Sequence, residues 1–154
     1  MAGVGWWGVT LLDEIAGKIT AAGLASSSGA NGWMLLKSYL PDSTALQHKC
    51  VALMETGGRA PDLPTELDYP SFQVLVRGDV TATSTGAYAA ARAEAEAIKL
   101  ALHGLGGQYL PTSSATDKRW YVEVQAQQEP MPLPFDAQQR PRIVCNYATI
   151  RSRT

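Results

Sequence analysis

The sequence feature that most constrains the fold is an apolar stripe of helical spacing between residues 85 and 105. Its members recur at alternating steps of three and four residues, which places them on one face of an α-helix. They are Tyr88, Ala91, Ala95, Ile98, Leu102 and Leu105. Gly106 and Gly107 follow and predict the end of the helix. A face so rich in alanine can lie close against a second layer, and this predicts a helix that covers a sheet.

Runs typical of β-strands lie on both sides of this helix in the chain. They span residues 33–40, 47–55, 69–77, 120–127 and 143–150, and a second amphipathic helix is predicted for residues 9–22. In the run 120–127 we expect Trp120, Val122, Val124 and Ala126 to point inward. The order α-β-β-β-α-β-β predicts an α+β fold, a two-layer sandwich in which a mixed, mainly antiparallel sheet of about five strands carries two helices on one face.

Length and composition favour an ordinary folded protein. The chain has 154 residues, which predicts one domain over residues 1–154 with flexible ends at 1–8 and 152–154. Apolar residues make up 45% and the formal net charge is -1, which argues against disorder and against broad binding to nucleic acid. No segment resembles a signal peptide or a membrane-spanning helix, so we expect a soluble intracellular protein.

Two stretches rich in proline and glycine, residues 57–68 and 129–141, predict long, stiff, irregular loops. Such loops are uncommon in a compact domain unless they have a function, and a stiff loop loses less entropy when it binds. The first loop carries Arg59, Asp62, Glu66 and Asp68, and the second carries Arg140. These five charged residues are our candidates for contacts with another subunit or another protein.

The sequence offers little evidence of catalysis. His48 and Cys50 lie two residues apart on a predicted strand, and Cys145 could lie nearby, so a metal site or a Cys–His catalytic pair is one interpretation. The alternative is an edge histidine and two core thiols, which we prefer because no third ligand stands at a suitable spacing. The three carboxylates of the first loop match no metal-binding loop, and no phosphate-binding pattern is present. We therefore predict no enzyme activity, metal or cofactor.

The stretch from residue 55 to residue 78 resembles the tail terminator proteins of long-tailed bacteriophages, which are also described as minor capsid proteins. The residues that carry the resemblance are E-T-G-G at 55–58, Pro61 and Y-P-S-F-Q-V-L-V-R at 69–77. The similarity continues through the alanine-rich helix, Glu129-Pro130, Arg140 and Asn146-Tyr147, and it covers residues 11–151. The combination is fairly specific, although each piece alone is a weak signal.

The resemblance implies a structural role in the virion at the head–tail junction, after assembly in the host cytoplasm. Members of the family form a hexameric ring on the head-proximal end of the tail tube. The implied partners are further copies of the chain, the tail tube protein, a head-completion (connector) protein, and genomic DNA that passes through the channel without specific binding; no membrane is implied. Two alternatives are another ring-forming connector or tube component, and a small cytosolic enzyme that uses His48 and Cys50.

Overall fold

The computed structural model describes residues 10–42, 47–110 and 118–153. Within these ranges the chain forms two helices, α1 (Leu11–Ala21) and α2 (Ala87–Leu102), and nine strands. The strands are β1 (Met34–Lys37), β2 (Cys50–Glu55), β3 (Arg59–Asp62), β4 (Leu67–Tyr69), β5 (Ser71–Arg77), β6 (Gln108–Leu110), β7 (Arg119–Ala126), β8 (Met131–Leu133) and β9 (Arg142–Ser152). Neither helix is long and apolar enough to cross a membrane.

Helix α1 begins at a capping box formed by Thr10 and Asp13. The backbone N–H of Asp13 donates to the Thr10 hydroxyl over 3.3 Å, and the backbone N–H of Thr10 donates back to the Asp13 carboxylate over 3.0 Å. These bonds satisfy donors that the first helical turn would otherwise leave unpaired. Asp13 also forms an ion pair with Lys37 at the end of β1, which ties the start of the helix to the sheet.

Strand β9 organises the sheet. Along one edge it pairs antiparallel with β5 and, beyond Pro70, with β4; along the other edge it pairs with β8 and then β7. Strands β2 and β1 continue the sheet outward from β5, while β3 adds to β4 and β6 adds to β7. Only the β1–β2 pair is parallel among the described strands. The α+β class and the mixed, mainly antiparallel sheet are therefore confirmed.

The strand count is larger than predicted because of four short strands: β3, β4 and β8 lie wholly or partly in the stretches predicted as loops, and β6 follows α2. Strands β3 and β8 each contain a proline, Pro61 and Pro132, and both are edge strands, where the missing N–H costs no ladder bond. The five predicted runs correspond to strands β1, β2, β5, β7 and β9. The prediction that residues 57–68 and 129–141 are wholly irregular is therefore wrong.

The main core lies between the two helices and one face of the sheet. Its largest contributors from the central strands and helices are Ile15, Ile19, Leu53, Phe72, Ile98, Leu102, Ile143 and Tyr147. The rings of Phe72 and Tyr147 stack at 5.0 Å between centroids. The opposite face has a smaller cluster of Ala52, Leu75 and Val144, which Leu40, Met54 and Leu133 cover in part. Both helices therefore lie on one face, as predicted.

The inward face predicted for β7 is wrong in its first half. Tyr121 and Val124 are buried, whereas Trp120 and Val122 are exposed. The cause is a register shift between Tyr121 and Glu123, where β7 carries one extra residue relative to β9. A bulge of this kind reverses which side chains face the core. The sequence alternates cleanly through this point, so the pattern alone cannot reveal the shift.

Candidate subunit interface

Strands β3 and β4 form a hairpin, residues 59–69, whose tip, residues 63–66, is exposed throughout. Glu66 adopts a left-handed backbone conformation, with φ 55°, where the chain turns at the tip. On the stem, the guanidinium of Arg59 lies over the ring of Tyr69, 3.9 Å from its centroid, in a cation–π contact. The first predicted loop is therefore a charged hairpin with a paired stem and an exposed tip.

Gly58 allows the hairpin to approach the main sheet closely. Its backbone has φ 87°, and a Cβ atom at this position would lie 2.1 Å from the carbonyl oxygen of Tyr69. A side chain would therefore collide with the backbone, besides the strain of the left-handed conformation. The neighbouring Gly57 has φ 89°, but a Cβ atom added to it would meet no other part of the chain within 4 Å. The close approach thus explains why residue 58 is glycine. At residue 57 only the positive φ favours glycine.

The end of β9 holds the hairpin in place. Leu67 and Asp68 pair with Ser152 and Arg151 in the ladder, and the backbone N–H of Arg153 donates to the Glu66 carbonyl over 3.0 Å. Arg153 also pairs with the Asp68 carboxylate at 3.3 Å. Ser152 and Arg153 therefore pair with the hairpin at this edge of the sheet. The flexible ends at residues 1–8 and 152–154 stay a prediction, and residues 1–8 and 154 lie outside the described residues.

The four candidate residues of the hairpin fall into two groups. Arg59 and Glu66 are exposed and Asp62 is half-buried, and neither acid forms an ion pair among the described residues. Asp68 instead faces two arginines of its own chain, Arg119 at 3.8 Å and Arg153 at 3.3 Å. Arg59, Asp62 and Glu66 are thus available to a partner, whereas the carboxylate of Asp68 fixes the hairpin.

Beside the hairpin stem, the face of the sheet that lacks helices forms an open groove of about 320 Å³. Arg59 and Tyr69 line it on the hairpin side, and Glu123, Gln125 and Ile150 line it on the side of β7 and β9. The exposed rings of Tyr109 and Trp120 meet edge to face at 5.0 Å on β6 and β7. Aromatic and arginine side chains are enriched in protein–protein interfaces, so this region also suits a protein partner.

A buried ionic network beneath the hairpin was not anticipated from the sequence. The Glu14 carboxylate accepts a hydrogen bond from the Tyr121 hydroxyl and pairs with Arg151 at 2.6 Å and with Arg119 at 4.0 Å. Burial raises the pKa of Glu14, against the hydrogen bond of Tyr121 and the charge of Arg151. Burial also raises the pKa of Tyr121. The position of Glu14 in the first turn of α1 is typical of a helix start. Nothing in the sequence spacing indicates that Tyr121, Arg119 and Arg151 are its partners.

Arg140 lies inside the subunit. Its side chain has no exposed surface, and its guanidinium pairs with Asp136 at 2.7 Å and with Asp42 at 2.6 Å. Burial alone would raise the pKa of Asp136, but hydrogen bonds from the Arg140 backbone and guanidinium lower it below the ordinary value. In this conformation Arg140 can affect subunit contacts only through the loop that it fixes, so it does not share a surface with the hairpin residues.

His48 and Cys50 make contacts that stabilise the fold. His48 Nδ1 lies 3.3 Å from the guanidinium of Arg140, and the Cys50 thiol donates to the Gln47 carbonyl over 2.9 Å. Burial raises the pKa of Cys50, which disfavours the thiolate that a nucleophile or metal ligand needs. Across the described ranges, no group of three or more His, Cys, Asp or Glu side chains is placed to hold a metal ion.

Comparisons with known proteins agree with this fold. A family model for the bacteriophage tail terminator protein matches residues 18–153. Among solved structures, a chain from the "Virion of native gene transfer agent (GTA) particle" superposes with a TM-score of 0.64 at 19% identity. That match covers 92% of this chain and 93% of the other. At this identity it shows a shared fold. A comparison with curated proteins gives no match.

Proposed function

The chain belongs to the bacteriophage tail terminator family, and from this premise we propose that it forms a ring on the head-proximal end of the tail tube. The family is one of structural virion proteins, and a structural role in the phage tail follows from membership. The finer statement is that the ring, which we propose to be hexameric, stops polymerisation of the tube and offers a surface to the head-completion protein. The family match over residues 18–153 carries this proposal.

The geometry supports ring formation because the chain presents distinct surfaces that could meet head to tail. A closed ring needs heterologous contacts, in which one surface of a subunit meets a different surface of the next. The hairpin, with Arg59, Asp62 and Glu66, is one such surface, and contacts within the single chain hold its stem together. A preformed contact surface loses less entropy when it binds.

The charge of the chain supports a conduit for DNA. Its formal net charge of -1 supplies no general attraction to phosphates, and a channel through which the genome passes should not hold it tightly. The partners that we propose are other copies of this chain, the tail tube protein and the head-completion protein. The proposed location is the head–tail junction of the virion, reached after assembly in the host cytoplasm.

The oligomeric state of the purified chain tests the ring directly. Light scattering coupled to size-exclusion chromatography at rising concentration should show a monomer that converts into one closed species. Negative-stain images of that species should show rings with an open centre. A chain that grows into filaments of increasing length would instead favour the second candidate, a tube component, because contacts that do not close give open helical assemblies.

A further inference from the structure

A cleft of about 390 Å³ lies at the opposite end of strands β5 and β9 from the hairpin. The six residue steps of β5 between the two sites correspond to roughly 20 Å. We refer to it as the arginine cleft. Its lining includes Leu40, Asp42, Arg77, Phe135, Asp136 and Arg142.

The arginine cleft has an excess of positive charge. Asp42 and Asp136 both pair with Arg140, which is buried beside the cleft. Arg77 is also buried, but its guanidinium donates to backbone carbonyls, including that of His48 over 3.0 Å, and to the Cys50 thiol. Arg142 likewise donates to the Pro134 carbonyl over 2.8 Å. Three arginines therefore face two carboxylates, and in the described ranges neither Arg77 nor Arg142 has a carboxylate partner.

The hairpin tip carries the complementary groups. Asp62 and Glu66 flank Leu63, which is 76% exposed, and no described cation pairs with either acid. The cleft in turn combines its arginines with the exposed ring of Phe135. Carboxylates bound to guanidinium groups form strong, directional hydrogen bonds, and an exposed leucine gains most when it covers another apolar surface.

We propose that the hairpin tip of one subunit docks in the arginine cleft of a second copy of this chain. In the docked pair, Asp62 and Glu66 lie close to the guanidinium of Arg142, and the buried charge of Arg77 attracts them as well. Leu63 packs on the ring of Phe135. The two surfaces lie at opposite ends of the same strands, so a chain cannot satisfy its own cleft, and each docking leaves a free tip and a free cleft for further copies. This is the head-to-tail contact that a ring requires, and the inference therefore rests on the proposed function.

Charge reversal with complementation tests the pairing. We expect Asp62→Lys/Glu66→Lys alone and Arg142→Glu alone each to raise the concentration for half-assembly by at least about tenfold, because like charges then meet. An equimolar mixture of the two variants should assemble again, since each reversed surface finds its complement on the other variant. Glu55→Lys and Arg92→Glu, which reverse exposed charges outside the tip and the cleft, should assemble like the wild type.

Either of two results overturns the inference: the tip variant assembles like the wild type, or the mixture fails although circular dichroism shows that both variants are folded. A second measurement tests the inference even if the Arg142→Glu variant does not fold. The variant Leu63→Cys/Ala137→Cys should give a ladder of disulfide-linked oligomers under mild oxidation, because Ala137 is an exposed residue of the cleft rim. The native Cys50 and Cys145 are buried and free, so each single variant serves as a control.

The outcomes also separate this inference from the function on which it rests. If the wild-type chain assembles into rings and the double-cysteine variant also assembles but gives no ladder, the tip does not meet the cleft and only the inference fails. If the wild-type chain stays monomeric at every concentration, the proposed ring itself is contradicted.

Discussion

Arg140 is held by two carboxylates inside the subunit, whereas Arg59 lies on the hairpin surface over the ring of Tyr69. Both arginines lie in proline-rich stretches, so the sequence gives no reason to expect different roles for them. Their different environments lead to different consequences when each is replaced.

Replacement of Arg140 by methionine should destabilise the fold strongly. The change leaves Asp136, which is largely buried, without its counter-charge, and loss of one partner of a buried ion pair typically costs about 3–5 kcal/mol. Urea unfolding followed by circular dichroism measures the loss. Arg92→Met, which removes an exposed pair with Glu96 on α2, is the matched control and should cost less than about 1 kcal/mol. Equal losses for the two variants would disprove a structural role for Arg140.

Replacement of Arg59 by alanine should impair assembly more than folding. The exposed cation–π contact with Tyr69 contributes about 0.5–1 kcal/mol, so the free energy of unfolding should fall by no more than that. If Arg59 contacts a neighbouring subunit, the concentration for half-assembly, measured by light scattering, should rise several-fold. Arg92→Ala serves as the control. Unchanged assembly of the Arg59 variant would remove this residue from the interface.

At the scale of the elements, the hairpin depends on the close approach at Gly58. Gly58→Ala should displace β3 from β4, because its Cβ would lie 2.1 Å from the Tyr69 carbonyl oxygen. Gly57→Ala has a similar φ but open space, so it should cost only the strain of about 1 kcal/mol. Hydrogen exchange at the β3 and β4 amides compares the two variants. Exchange should be faster for Gly58→Ala alone, and equal exchange in the two variants would show that the close approach at Gly58 does not matter.

Helix α2 carries a half-buried acid, Glu94, that should make stability depend on pH. Burial raises the pKa of Glu94 from 4.5 to about 7, with the charge of Lys49 opposing the shift, and its Oε1 has no hydrogen-bond partner among the described residues. Because the folded pKa is raised, the contribution of this group to stability is fully present below pH 4.5 and is lost as the pH rises to about 7. The loss stays below about 3 kcal/mol, because Glu94 is only half-buried and solvent screens part of the effect.

The neutral isostere Glu94→Gln isolates this effect. It should unfold at higher urea concentration than the wild type above pH 7, and its stability should change less between pH 4.5 and 7. Glu96→Gln, two residues along the same helix, is the control and should keep the pH dependence of the wild type. Parallel stability curves for Glu94→Gln and the wild type would show that Glu94 is not the responsible group.

Elements with a strong internal period could be predicted from the sequence, and short paired strands could not. The stripe on α2 and the alternation in β5 depend only on spacing, so both were identified. Strands β3 and β8 are three or four residues long and contain proline, and they exist because β4 and β9 provide a ladder partner. The same limit applies to the charged residues: the partners of the buried Arg140 include Asp42, almost a hundred residues away.

At the scale of the whole molecule, the described chain presents a negatively charged hairpin tip at one end of its central strands and an arginine cleft at the other. Family membership makes the protein a structural component of the phage tail. We further propose that a closed ring of these subunits lies at one end of the tube and that DNA passes through it without being held.

The most direct test of this account is the position of the protein on isolated tails. A tagged copy, labelled with gold and imaged by negative-stain electron microscopy, should mark each tail once, at the end that joins the head. Tails assembled without the protein should lack that label and should vary in length, because nothing ends polymerisation of the tube. Label along the whole tube, or at the end distal to the head, would contradict the account.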